Sequence, residues 1–141
     1  MKSKVIAFFG GSFVTRGVLF LSALVAVAIA ATILFAPDAF YAGYGIEVGG
    51  NATLANELKA PAGALLVAGL LMFAGVFRSS LAVISLATAT AVYLSYGLGR
   101  VMSIAIDGLP HSGMISAAVI EIVIGAVCLV ALLHVRRANA A

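Results

Sequence analysis

Three ionisable residues stand inside otherwise apolar stretches of this chain: Glu57, Arg100 and Glu121. A charge near the centre of a membrane helix costs roughly 2.5–3.5 kcal/mol on insertion scales, so such residues are kept for pairing or for function. An arginine set between two carboxylates at similar depth would satisfy all three. Helical spacing enlarges the group. Tyr93, Tyr96, Gly97, Arg100, Ser103 and Asp107 recur at intervals of three and four, which places them on one side of a helix. Asn56, Lys59, Ala60 and Gly63 share a side of another, and Glu121 shares its stripe with Ala117 and Gly125. Pro61 offers no N–H to the carbonyl four residues earlier, that of Glu57. It is expected to bend its helix and to leave an acceptor for Arg100 or Lys59. The candidate cluster is therefore Asn56, Glu57, Lys59, Tyr93, Tyr96, Arg100, Ser103, Asp107 and Glu121. Three kinds of chemistry fit it. It could be an ion-pair cluster that only fixes helix register, a polar pocket for the head of a lipid-soluble ligand, or a site of general acid–base catalysis through Glu57 or Glu121.

Other chemistries find little support. The sequence contains no HExxH, CxxC, phosphate-binding glycine loop or nucleophile elbow, so no catalytic residue is assigned and no cofactor is expected. His111 and His134 fall at opposite membrane faces. Asp107 and His111 lie in a Pro-Gly turn and make a poor metal site, so no metal is expected. Cys128 is the lone cysteine, which rules out an intrachain disulfide and reads as a small packing residue.

The elements that must position the cluster are four apolar runs, Gly17–Ala36, Leu58–Phe77, Leu81–Ile106 and Met114–Val135. Each is ~20 residues or longer, enough to cross a hydrocarbon core of ~30 Å. The chain is 64% hydrophobic and 9% charged, with a mean hydropathy of +1.22; soluble domains average about 25% charged residues. Backbone polar groups must be satisfied within the bilayer, and the runs are too long and continuous for barrel strands. The expected fold is an all-α, integral-membrane bundle of four antiparallel helices, forming one transmembrane domain over residues 1–141. The basic start (Lys2, Lys4) and Ala28-Ile29-Ala30 resemble a signal peptide, but the apolar stretch after Arg16 exceeds the usual ~7–15 residues, so it is read as a true membrane helix. The long connection 37–56 is expected to be irregular, with Phe40, Tyr41 and Tyr44 at the membrane–water interface. Asn51-Ala52-Thr53 matches a glycosylation sequon by accident. Small residues at Ala60, Ala64 and Ala68, and at Ser95, Gly99 and Ser103, suggest close packing inside the bundle, with oligomerisation as the alternative.

Charge then orients the helices. One side receives Lys2, Lys4, Arg16, Arg78, Arg136 and Arg137 without an acid. The other receives Asp38, Glu47, Glu57, Asp107 and Glu121 against Lys59 and Arg100. The positive-inside rule places both termini in the cytoplasm. The pI of 9.4 does not point to nucleic acid, because the basic residues are few and flank apolar runs. Membrane lipids are the expected partners, together with a membrane protein or a second copy of the chain.

The stretch Asn56-Glu57-Leu58-Lys59-Ala60-Pro61-Ala62-Gly63, then Gly97-Leu98-Gly99-Arg100-Val101-Met102-Ser103 with Asp107-Gly108, then Glu121, resembles a known bacterial membrane family. It is similar to the proteins grouped as domain of unknown function 4345, relatives of the DoxX-like group. Glu57, Arg100, Ser103, Asp107 and Glu121 match that family's polar positions, over roughly Pro37 onward. The resemblance implies a four-helix bundle in the bacterial inner membrane and no settled activity. DoxX-like relatives include subunits linked to quinone-dependent oxidation, and no redox motif is present here. The readings that follow are a non-enzymatic protein binding a lipid, quinone or other amphiphile, an accessory or scaffold subunit, and an enzyme acting on a lipid-soluble substrate.

Overall fold

The computed structural model of the chain describes residues 13–140. Among them are α1 (Phe13–Phe35), a short α2 (Pro37–Ala42), α3 (Ala52–Phe77), α4 (Ala82–Asp107) and α5 (Ser112–Ala140), with a single 3₁₀ turn at Ser79–Leu81 between α3 and α4. The spans of α1, α3, α4 with its preceding turn, and α5 are each long and apolar enough to cross a membrane. The protein is an all-helical, multi-pass membrane protein. Lys2 and Lys4 lie outside the described residues.

The helices assemble through small residues at helical spacing. On α1 the buried stripe is Leu19, Ser22, Ala23, Ala26 and Ala30; on α3 it is Ala62, Leu65, Gly69, Met72 and Gly75. A Cβ on Gly69 would lie 2.7 Å from the Val27 side chain and 3.2 Å from its backbone nitrogen, so α1 and α3 touch almost backbone to backbone. The pair α4–α5 closes the same way: Gly97 faces Ile122, and Gly125 faces Leu94. The bundle is thus two tight pairs, α1 with α3 and α4 with α5, joined chiefly along α3 and α4. The pairs are also linked by buried polar contacts. Tyr93 donates its hydroxyl to the Ser22 carbonyl at 2.6 Å, and Ser85 donates across the α3–α4 interface to the Leu71 carbonyl at 2.8 Å. The single Ser22 hydroxyl proton goes to the Val18 carbonyl, so the Cys128 thiol, 3.3 Å from Ser22 Oγ, donates to it.

Several sequence expectations change at the helix ends. The connection expected to be irregular contains α2, started by Pro37, whose fixed φ and missing N–H suit a first helical turn. Helix α3 begins at Ala52 rather than near Leu58. Asn51 caps it, its Oδ1 accepting from the Leu54 N–H at 2.9 Å, so the side chain of the apparent sequon is spent on a helix start. Gly45 and Gly50, at φ of 74° and 78°, make the turns that return the chain from α2 to α3. Pro61 sits inside α3, which runs on unbroken to Phe77. The Glu57 carbonyl has no N–H to accept from at position 61, but neither Arg100 nor Lys59 donates to it. The two small-residue stripes expected in the bundle interior pack there only at Ala68, which is half-buried against the core. Ala60, Ala64, Ser95, Gly99 and Ser103 are exposed, and a Cβ on Gly99 would meet nothing. Gly69, Gly97 and Gly125, one helical face away, make the close approaches instead.

Candidate functional site

Arg100 and Glu121 meet across the α4–α5 interface. Arg100 lies seven residues from the end of α4 and Glu121 nine from the start of α5, about two turns in from the same end of the bundle, roughly 10–14 Å along each helix. The Arg100 Nε–H donates to both carboxylate oxygens, at 2.9 Å to Oε2 and 3.2 Å to Oε1. The Glu121 side chain is 14% exposed and that of Arg100 33%. The Glu121 side chain is therefore held inside, while a third of the Arg100 side chain stays accessible. Its Nη1 donates to the Met114 thioether at 3.2 Å, a weak acceptor, and Nη2 has no hydrogen-bond partner among the described residues.

Arg100 and Glu121 line a cavity of about 490 Å³ between the two helix pairs, at the end of the bundle that carries α2 and the α4–α5 turn. Its walls are apolar: Val25, Ile29 and Ile33 from α1, Leu58, Pro61 and Leu65 from α3, and Ala117 and Ile120 from α5. Its polar lining is the Arg100–Glu121 pair, Ser116 and four tyrosines, Tyr41, Tyr44, Tyr93 and Tyr96. Tyr93 is 4% exposed and its hydroxyl is committed to Ser22, so it contributes a ring. Ser116 donates to the Ser112 carbonyl. The hydroxyls of Tyr41, Tyr44 and Tyr96 have no hydrogen-bond partner among the described residues. Tyr41 sits close enough to Arg100, Tyr96 and Tyr44 to feel each electrostatically. Burial outweighs the pull of Arg100 and raises its phenol above the usual value, so it is a neutral donor at ordinary pH.

Aromatic stacking closes the loop end of the cavity. Phe40 meets Tyr41 and Tyr44 edge to face at centroid distances of 5.1 and 5.6 Å, and Tyr44 meets His111 at 5.9 Å. Gly113 permits this: a Cβ there would lie 2.8 Å from the Tyr44 ring. Toward the bundle exterior, Tyr96 and Arg100 also line an open groove with Ser95, Gly99 and Ser103. The two residues form the wall between the cavity and the outer surface of α4.

Of the residues singled out by sequence, the structure brings Tyr93, Tyr96, Arg100 and Glu121 together. Arg100 was expected to pair with Glu57, Glu121 or both; it pairs with Glu121, and Glu57 takes no part. Leu58, Pro61 and Leu65 face the cavity, and at roughly 100° per residue the neighbouring positions point away from it. Asn56 and Glu57 are exposed, and Lys59 is half-buried; none of the three lines the cavity. Ser103 and Asp107 are exposed and satisfy each other at 2.9 Å, Ser103 donating. Tyr41, Tyr44 and Met114 were not among the expected site residues. The three-residue spacing of Tyr41 and Tyr44 was the available signal, but it reads equally as interfacial anchoring.

The family model described as "Domain of unknown function (DUF4345)" matches residues 14–132, and the chain belongs to that family. No curated protein and no solved structure matches it significantly.

Proposed function

We propose that this member of the DUF4345 family is a non-enzymatic protein of the bacterial inner membrane that holds the polar head of an amphiphile, a lipid or quinone, in the cavity beside Arg100. The observation that carries the reading is an apolar cavity of about 490 Å³ within which polar groups converge, the usual composition of a small-molecule site. In this reading both termini are cytoplasmic, and the cavity lies in the outer leaflet. Arg16, Arg78, Arg136 and Arg137 at one end of the bundle and Asp38, Glu47, Glu57 and Asp107 at the other support that orientation. Tyr96 and Arg100, shared by the cavity and the outer groove, would give an amphiphile a path from the bilayer.

A second reading, an accessory or scaffold subunit, draws on a different observation. The small-residue stripes Ala60–Ala64 and Ser95–Gly99–Ser103 face outward, where a helix of a partner or of a second copy could approach closely. Catalysis by Glu57 or Glu121 has less support, because Arg100 occupies Glu121 and Glu57 lies outside the cavity. Purification in mild detergent followed by native mass spectrometry tests these readings. A stoichiometric bound lipid or quinone, lost in a cavity-filling Ala117→Phe variant that still folds, is expected. Recovery of a stable protein partner with an empty cavity would favour the scaffold instead.

A further inference from the structure

The polar groups of the cavity are unequally matched, and the mismatch selects a ligand chemistry. This argument rests on the amphiphile-binding reading above. Donors are in excess. Arg100 carries five N–H groups, of which only Nε–H has a strong acceptor among the described residues. The hydroxyls of Tyr41, Tyr44 and Tyr96 add three more without hydrogen-bond partners among the described residues. Strong acceptors are fewer: Glu121 is the one carboxylate in the lining, and both of its oxygens already accept from Nε–H. A polar group left unpaired in an apolar site costs free energy, so a ligand that fits must bring acceptor oxygens.

Charge narrows the choice further. Arg100 and Glu121 neutralise each other inside the cavity. The same end of the bundle also carries Asp38, Glu47, Glu57 and Asp107 against one lysine, Lys59. A phosphate or carboxylate would give up its hydration in a field that is negative overall, for an arginine already paired. A quaternary ammonium would suit the aromatic rings and the acidic rim. It would, however, stand beside the guanidinium and leave every spare donor unmatched. We infer that the cavity takes an amphiphile whose head is an uncharged carbonyl acceptor, such as an ester, amide or ketone, received by Arg100 and the tyrosine hydroxyls.

Four probes with one oleyl-length tail separate the possibilities. They are monoolein, its carbonyl-free ether analogue 1-O-oleylglycerol, oleyl phosphate and oleyltrimethylammonium. Each is equilibrated with the full chain in nanodiscs of diether phosphatidylcholine, and bound probe is quantified by mass spectrometry after capture of the protein. Monoolein should bind about tenfold more tightly than the ether, as expected for one or two hydrogen bonds made in an apolar site, and more tightly than either charged probe. Tyr41→Phe combined with Tyr96→Phe keeps the rings and should bring monoolein down to the level of the ether. Equal binding of ester and ether, or tighter binding of the phosphate or the ammonium, would overturn the carbonyl assignment while leaving the cavity reading in place. Binding of none of the four would overturn both. An unchanged ester preference in the double tyrosine variant would remove the hydroxyls from the recognition.

Discussion

Arg100→Leu should destabilise the protein more than Glu121→Gln, although both break the same ion pair. The asymmetry comes from what each change strands. Removing the guanidinium leaves the Glu121 carboxylate, only 14% exposed, between helices and without the one group that donates to it among the described residues. Breaking a buried pair in this way costs ~3–5 kcal/mol, and the partial exposure of Arg100 argues for the lower end, about 3 kcal/mol. Glu121→Gln instead leaves a cation that is already 33% exposed and stands in the wall of the outer groove. Its long stem lets the head turn toward the membrane surface, and the glutamine oxygen can still accept from Nε–H. That loss resembles an exposed pair, about 1 kcal/mol. Arg100→Leu combined with Glu121→Gln removes both charges and should be more stable than Arg100→Leu alone, because the stranded carboxylate is gone. The assay is thermal unfolding in detergent, followed with a thiol-reactive dye. Cys128 is the only cysteine and is fully buried, so it reports opening of the bundle. Equal destabilisation by the two single changes, or a double variant less stable than Arg100→Leu, would refute the argument.

Three further outcomes follow from the same geometry. Gly97→Ala puts a Cβ 2.7 Å from Ile122 and 3.2 Å from its backbone nitrogen, so it should cost ~1–3 kcal/mol in the same unfolding assay. Gly99→Ala, two residues on and facing open space, should be neutral or stabilising by up to ~1 kcal/mol; a loss there would mean that the outward stripe packs against another helix. Tyr93→Phe deletes the hydrogen bond to the Ser22 carbonyl and should lower stability by about 1 kcal/mol without changing amphiphile binding. For orientation, single cysteines at Gly49 and Asn139 in a Cys128→Ala background should differ on intact cells. An impermeant thiol reagent is expected to reach only position 49, and labelling of position 139 alone would invert the proposed topology.

The helices were legible in the sequence because the signal for them is long and redundant: ~20 apolar residues identify a membrane span whatever their order. Their ends were less so. The start of α3 depends on one side-chain hydrogen bond from Asn51, and α2 is a six-residue helix begun by one proline. Depth along the bundle was also legible, since residues counted from a turn convert directly to distance; that is why Arg100 and Glu121 fall at one level. Rotation about the helix axis was not. Glu57 was an expected alternative or additional partner of Arg100 because it shares the right end of the bundle, but a single-residue step turns a side chain by roughly 100°, and Leu58 rather than Glu57 faces the cavity. Most of the small-residue stripe positions point outward for the same reason, Ala68 excepted. Gly97 and Gly99 are both small residues of α4, one buried against α5 and the other open to the exterior.

The position of the cavity follows from where the bundle can close. At the Arg78 end, α3 and α4 are joined by only a 3₁₀ turn, a Cβ on Gly75 would collide with the Ser85 side chain, and Ser85 bonds back to Leu71. The two helix pairs are therefore clamped together there. At the other end, α1 reaches α3 through residues 36–51, and no short tie of that kind joins α3 to α4. The residues that face inward are also large: Leu58, Pro61 and Leu65 look across at Tyr93 and Tyr96. Large side chains on both faces hold the pairs apart where small ones would let them meet. The gap is then roofed by the Phe40–Tyr44 aromatic group rather than filled by the helices. Arg100 stands two turns below that roof, in the lining of the space the helices leave open, its charge balanced by Glu121.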